Sequence, residues 1–106
     1  IRYFRSRGIK LVYTDIDSKN NVDLKKVFLK VYSLGIGSII IEGGKILTRS
    51  VLKDKLINEF YLFKSKNNLG KLGKNNISDL KKIINFFNKK EIIETFLDGD
   101  KITRYY

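Results

Sequence analysis

The sequence predicts an α/β fold: a mixed sheet with a parallel β-α-β-α first half and antiparallel C-terminal strands. Three observations carry that reading. The run Ser38-Ile39-Ile40-Ile41-Glu42 has the continuous apolar character of a buried strand, and it passes through Gly43-Gly44 into a helix-patterned segment. A strand-like and a helix-periodic segment precede it with short connections, which implies parallel pairing through a right-handed crossover. Near the C-terminus, Asp98-Gly99 separates two strand-like runs and signals a hairpin.

Taken in order, Ile1 to Arg7 is basic and aromatic without a clear period. Lys10 to Thr14 reads as a strand. Asp15 to Asn21 is a polar loop rich in Asp, Ser and Asn. Asp23 can cap a helix whose apolar positions are Leu24, Val27, Phe28, Val31 and Leu34, and Gly35 is its stop signal. After the Ile39–Ile41 strand and the two glycines, a helix is expected to about Lys53. Glu59 to Phe63 is aromatic and strand-like, and Asn67 to Asn76 is a polar loop containing Gly70 and Gly73. Asp79 to Asn88 fits either a short helix or, over Ile83 to Phe87, an extended segment. Glu91 to Phe96 and Lys101 to Tyr106 read as the two hairpin strands.

The 106 residues suffice for one small domain. The chain begins with Ile1 rather than Met, so it is expected to be a piece of a longer protein. No apolar run is long enough to span a membrane. With neither Cys nor His, disulfides, thiol chemistry and the usual zinc sites are excluded within the chain. The absence of Cys suits a reducing compartment, and a cytoplasmic location is expected. The net charge of +11, from 22 basic and 11 acidic residues, raises nucleic-acid binding as a reading. The blander account is codon bias, since Lys, Asn and Ile abound and Pro is absent. The lysines are scattered along presumed solvent faces, and no nucleic-acid or membrane partner is expected. A positive field would still attract a phosphorylated ligand.

Glu42-Gly43-Gly44 stands where a parallel strand ends and a helix begins, the place where open α/β sheets bind ligands. A helix start leaves backbone N–H groups unpaired and partly positive, which suits phosphate. Glycine lets a ligand approach the backbone closely. The plain alternative is a tight turn that needs glycine for steric reasons alone. Glu42 would sit badly against a phosphate, so it is expected to face another part of a ligand. A cis bond at Gly43–Gly44 is compatible with a strained cofactor contact.

The order Val22-Asp23-Leu24, Leu34-Gly35-Ile36-Gly37-Ser38-Ile39-Ile40-Ile41-Glu42-Gly43-Gly44, Ile46-Leu47, Val51-Leu52, Leu56-Ile57-Asn58-Glu59 and Phe60-Tyr61-Leu62-Phe63 resembles the reductase domain of the bacterial bifunctional riboflavin-biosynthesis deaminase/reductase. Leu69-Gly70, Lys90-Glu91-Ile92 and Asp100 continue the likeness, which runs from about Gly8 to the end. The resemblance implies a dihydrofolate-reductase-like fold and NADPH-dependent reduction of 5-amino-6-(5-phosphoribosylamino)uracil to its ribitylamino product. Gly43 and Gly44 would then lie against the NADPH pyrophosphate, Lys45, Ile46 and Leu47 would supply helix-start N–H groups, and Glu42 would hold the substrate. Lys45 and Arg49 are candidates for the 2′-phosphate. Residues 1–106 would be the C-terminal portion of a single reductase domain, its front half and any zinc deaminase domain lying outside the chain. The phosphorylated pyrimidine is the expected substrate, a fused or separate zinc deaminase the expected partner, and an unpaired sheet edge the route to a homo-oligomer. No catalytic residue or metal ligand is assigned, and the fragment alone is expected to be inactive. The chain departs from the family at Lys45, where a small residue or Pro is usual, at Asn58, where Asp is usual, and in lacking Pro from Lys64 to Leu72. The alternatives are a non-catalytic nucleotide-binding module of the same fold and, further off, a basic nucleic-acid-binding domain.

Overall fold

The computed structural model describes residues 1–67, 70, 80–96 and 98–106. The chain divides into two compact units, Ile1–Ile40 and Ile41–Tyr106.

The first unit holds helices α1 (Arg2–Ser6) and α2 (Leu24–Ser33). α1 lies where the sequence shows no period, and five residues are too few to display one. The polar loop before α2 is organised by Asp17, whose Oδ1 accepts the Lys19 and Asn21 N–H groups at 2.8 Å each. The Asn21 N–H bond is the main reason the Asp17 carboxyl titrates below its ordinary range. α2 starts as the sequence requires, with the Asp23 carboxylate taking the Lys26 N–H at 3.2 Å. The Lys26 ammonium also donates to Asp15 at 2.6 Å, and that bond lowers the Asp15 pKa. α2 stops at Gly35, whose φ of +83° only glycine adopts without strain. There the Gly35 N–H reaches the Tyr32 carbonyl at 2.9 Å and the Ile36 N–H reaches Val31 at 3.4 Å, closing a Schellman motif.

The second unit holds α3 (Lys45–Lys53), β1 (Phe60–Lys64), α4 (Leu80–Ile83), a 3-10 turn (Ile84–Phe86), β2 (Lys90–Ile93) and β3 (Lys101–Tyr105). The strands form an antiparallel sheet in the order β1-β3-β2. The hairpin read from Asp98-Gly99 is present, with Gly99 at φ +78°. The ambiguous 79–88 stretch is helical from Leu80 to Phe86. Most of the polar segment 67–76 lies outside the described residues, as does Leu69.

Among the described residues the buried apolar side chains are Val51 and Leu52 of α3 and Ile84 of the 3-10 turn. Burial of each stabilises by about 1.5–3 kcal/mol. On one sheet face Phe60 and Phe87 each lie 6.3 Å from the Tyr105 ring. On the other, register aligns Tyr61, Arg104 and Glu91 across the three strands. Arg104 donates to both Glu59 oxygens at 3.1 and 2.8 Å and to Glu91 at 3.1 Å, and stacks 4.5 Å from the Tyr106 ring centre. Its hydrogen bonds hold Glu59 below the usual carboxylate range, while the Tyr61 hydroxyl, donating to Glu59, is pushed up. The network is a structural clamp tying β1, β3 and β2 together.

The expected parallel half needs correction. Residues 10–14 and 39–41 are not in strands, and no parallel pair occurs among the described residues. A strand exists only where a neighbour accepts its ladder hydrogen bonds. The isoleucine run has the composition of a strand without that partner, and Ile40 is 89% exposed. Ile16 in the polar loop does make one isolated antiparallel bridge, with Val22 just beyond the loop.

Candidate functional site

The start of α3 brings together the residues singled out by sequence. Gly44 is the N-cap, with extended backbone angles of φ −69° and ψ 177°, and having no side chain it cannot cap the helix. The first turn contains no acidic residue either. Among the described residues, the N–H groups of Lys45, Ile46 and Leu47 therefore begin the helix without a capping side chain, and the positive end of the helix dipole lies beside them. Thr48, which sequence reading passed over, braces the turn. Its hydroxyl donates to the Gly43 carbonyl at 3.1 Å, and its N–H donates to the Gly44 carbonyl at 3.1 Å.

The two glycines differ. A Cβ at Gly43 would stand 2.7 Å from Leu47 Cδ2 and 2.9 Å from Leu47 Cβ. Gly43 is thus required by the turn itself, because the side chain one helical turn on fills its space. At Gly44, among the described residues, no heavy atom beyond its chain neighbours and the adjoining helix backbone lies within 4 Å of the place a Cβ would take. The Gly43–Gly44 link is trans, unlike the cis bond entertained from sequence, and every peptide bond described is trans. A non-proline cis bond costs about 3 kcal/mol, and the trans turn avoids that. Glu42 is exposed rather than packed among apolar side chains.

Beside this start, an open groove of about 530 Å³ follows the flank of α3. It is lined by Lys45, Ile46, Arg49, Ser50, Lys53 and Ile83. The lysines are less scattered than the sequence suggests: Lys45, Arg49 and Lys53 recur every fourth residue and share one helix face. That spacing was the available signal for Lys53; Ile83 reaches the groove through the contact of α4 with α3 and had no local signal. A second groove, of about 320 Å³, gathers Lys64, Lys66 and Lys101 around Ser65 and Gly99. There Lys66 pairs with Asp98, and Ser65 donates to Asp100 at 3.0 Å.

The site can hold an anion by backbone amides and flanking cations. Among the described residues no group of His, Cys, Asp or Glu is placed to hold a metal ion. Among them also, no helix is long and apolar enough to cross a membrane. No curated protein matches the chain significantly. The family model of the RibD C-terminal domain matches residues 4–99.

Proposed function

The chain belongs to the RibD C-terminal domain family, a family of reductase domains in riboflavin biosynthesis with a dihydrofolate-reductase-like fold, and from that premise we propose that it forms the cofactor-binding part of an NADPH-dependent reductase. The reaction in this reading is reduction of 5-amino-6-(5-phosphoribosylamino)uracil to its ribitylamino product by the intact protein.

The observation that carries the reading is the start of α3: an uncapped helix after a glycine whose Cβ direction is open. Such a start would accept a pyrophosphate through its backbone N–H groups without displacing a capping side chain. Lys45, Ile46 and Leu47 would supply the N–H groups, and Gly44 the close approach. Gly43 would act indirectly, by giving Leu47 the room that fixes the turn. Glu42, exposed just ahead of the glycines, would hold a polar N–H-bearing group of the substrate. NADPH, when bound, supplies the hydride; the chain supplies position and electrostatics.

The test is an NADPH titration of the intact protein carrying Gly44→Val. The valine side chain enters open space, so the fold is expected to survive while cofactor affinity falls at least about tenfold, the effect of losing a charge-assisted contact. Unchanged affinity in a folded variant would count against the site.

A further inference from the structure

The sheet ends at β2, which has β3 on one side and, among the described residues, no strand on the other. The ladder decides which of its backbone groups face outward. Lys89 and Tyr106 exchange both N–H···O bonds, at 2.9 and 3.0 Å. Antiparallel pairing alternates such bonded pairs with non-bonded ones. Glu91 and Ile93 therefore also aim their N–H and C=O groups at β3, and Lys90 and Ile92 aim theirs away from it. Glu94, one residue past the strand, follows the same alternation. Neither a proline nor a bulge interrupts this edge. At its middle stands Ile92, 72% exposed. Two residues to either side lie Lys90 and Glu94, of opposite charge, and among the described residues neither has an ion pair within the chain.

We propose that this edge is a self-association surface, on which a second copy of the chain pairs antiparallel with β2 about a two-fold axis at Ile92. A lone lysine commonly guards an exposed edge by repelling a second copy. Here the glutamate at the mirror position turns that repulsion into attraction. With Ile92 opposite Ile92 of the second copy, each Lys90 stands opposite a Glu94, and outward backbone groups meet outward backbone groups. Moving the axis one residue back sets Lys90 against Ile92, and one residue forward sets Ile92 against Glu94. The charge pattern thus selects one register, and a two-fold axis makes every contact in it occur twice.

The experiment is sedimentation equilibrium of the intact protein from micromolar to near-millimolar concentration. A pairing this short is expected to give a reversible dimer in the micromolar range or weaker. Ile92→Pro should abolish it with the fold retained by circular dichroism, because the lost N–H is one that faces away from β3. Lys90→Glu and Glu94→Lys, separately, should each weaken association at least about tenfold, since each turns two attractive contacts into repulsive ones. Mixed together, these two variants should associate about as tightly as the unaltered protein, because every lysine then faces a glutamate again. A protein that stays monomeric at the highest concentration would overturn the proposal. An oligomer that neither charge variant weakens would overturn it too, as would a mixture that associates no better than its components.

Discussion

At the start of α2, Asp23 stands at φ −71° and ψ 99° and its carboxylate takes the Lys26 N–H. At the start of α3, Gly44 stands at φ −69° and ψ 177° and offers the first-turn N–H groups no side-chain acceptor. Both helices need an acceptor for the same unpaired donors. In α2 the chain provides the anion; in α3 it withholds one and leaves the adjacent space open. The difference teaches how to tell a structural helix start from a candidate binding one. Amphipathic pattern does not separate them, since both helices have it; the capping residue does.

The other ends sharpen the contrast. α3 closes with the same pair of hydrogen bonds as α2, from Lys55 to Leu52 at 3.1 Å and from Leu56 to Val51 at 2.9 Å. Lys55 takes the left-handed position, φ +52°, that Gly35 holds after α2. Its ammonium lies 5.8 Å from the Phe86 ring centre, a cation–π contact that offsets part of the backbone strain.

The comparison can be broken at several points. The largest stability effect is expected at Gly43, where Gly43→Ala forces Leu47 to shift and should cost about 1–3 kcal/mol in chemical denaturation. A neutral result would mean that the turn does not depend on Leu47. Asp23→Ala removes the chain's own anion from α2 and should cost about 1 kcal/mol by the same measurement. Loss of nucleotide affinity in that variant would contradict the assignment of α2 as purely structural. Smallest is Lys55→Gly, where relief of strain and loss of the Phe86 contact oppose each other. Its melting shift should correspond to less than about 0.5 kcal/mol. A clear gain would show that Phe86 contributes nothing.

Local signals made much of this legible. The Asp23 cap, the Gly35 stop, the helix after Gly44 and the Asp98-Gly99 hairpin each depend on neighbours in sequence, and each was readable. The Ile39–Ile41 run was misleading because an apolar pattern states what a segment would bury, not whether a pairing strand exists for it. The unequal roles of Gly43 and Gly44 were hidden, since only the helical geometry brings Leu47 over the first and not the second. The Arg104 clamp was missed for a similar reason: Glu59, Glu91 and Arg104 are far apart in sequence and meet only through strand register. The charge row on α3 was visible at four-residue spacing, yet average composition concealed it.

The most direct measurement gives α3 the cap that α2 already has. In Gly44→Asp, a carboxylate enters open space and can take a first-turn N–H, so thermal stability should be unchanged or rise by a few tenths of a kcal/mol. NADPH affinity, measured by titration of the intact protein, should fall more than in Gly44→Val, because the aspartate both occupies and repels the phosphate position. A stable Gly44→Asp protein that still binds NADPH as tightly as the unaltered one would contradict the account.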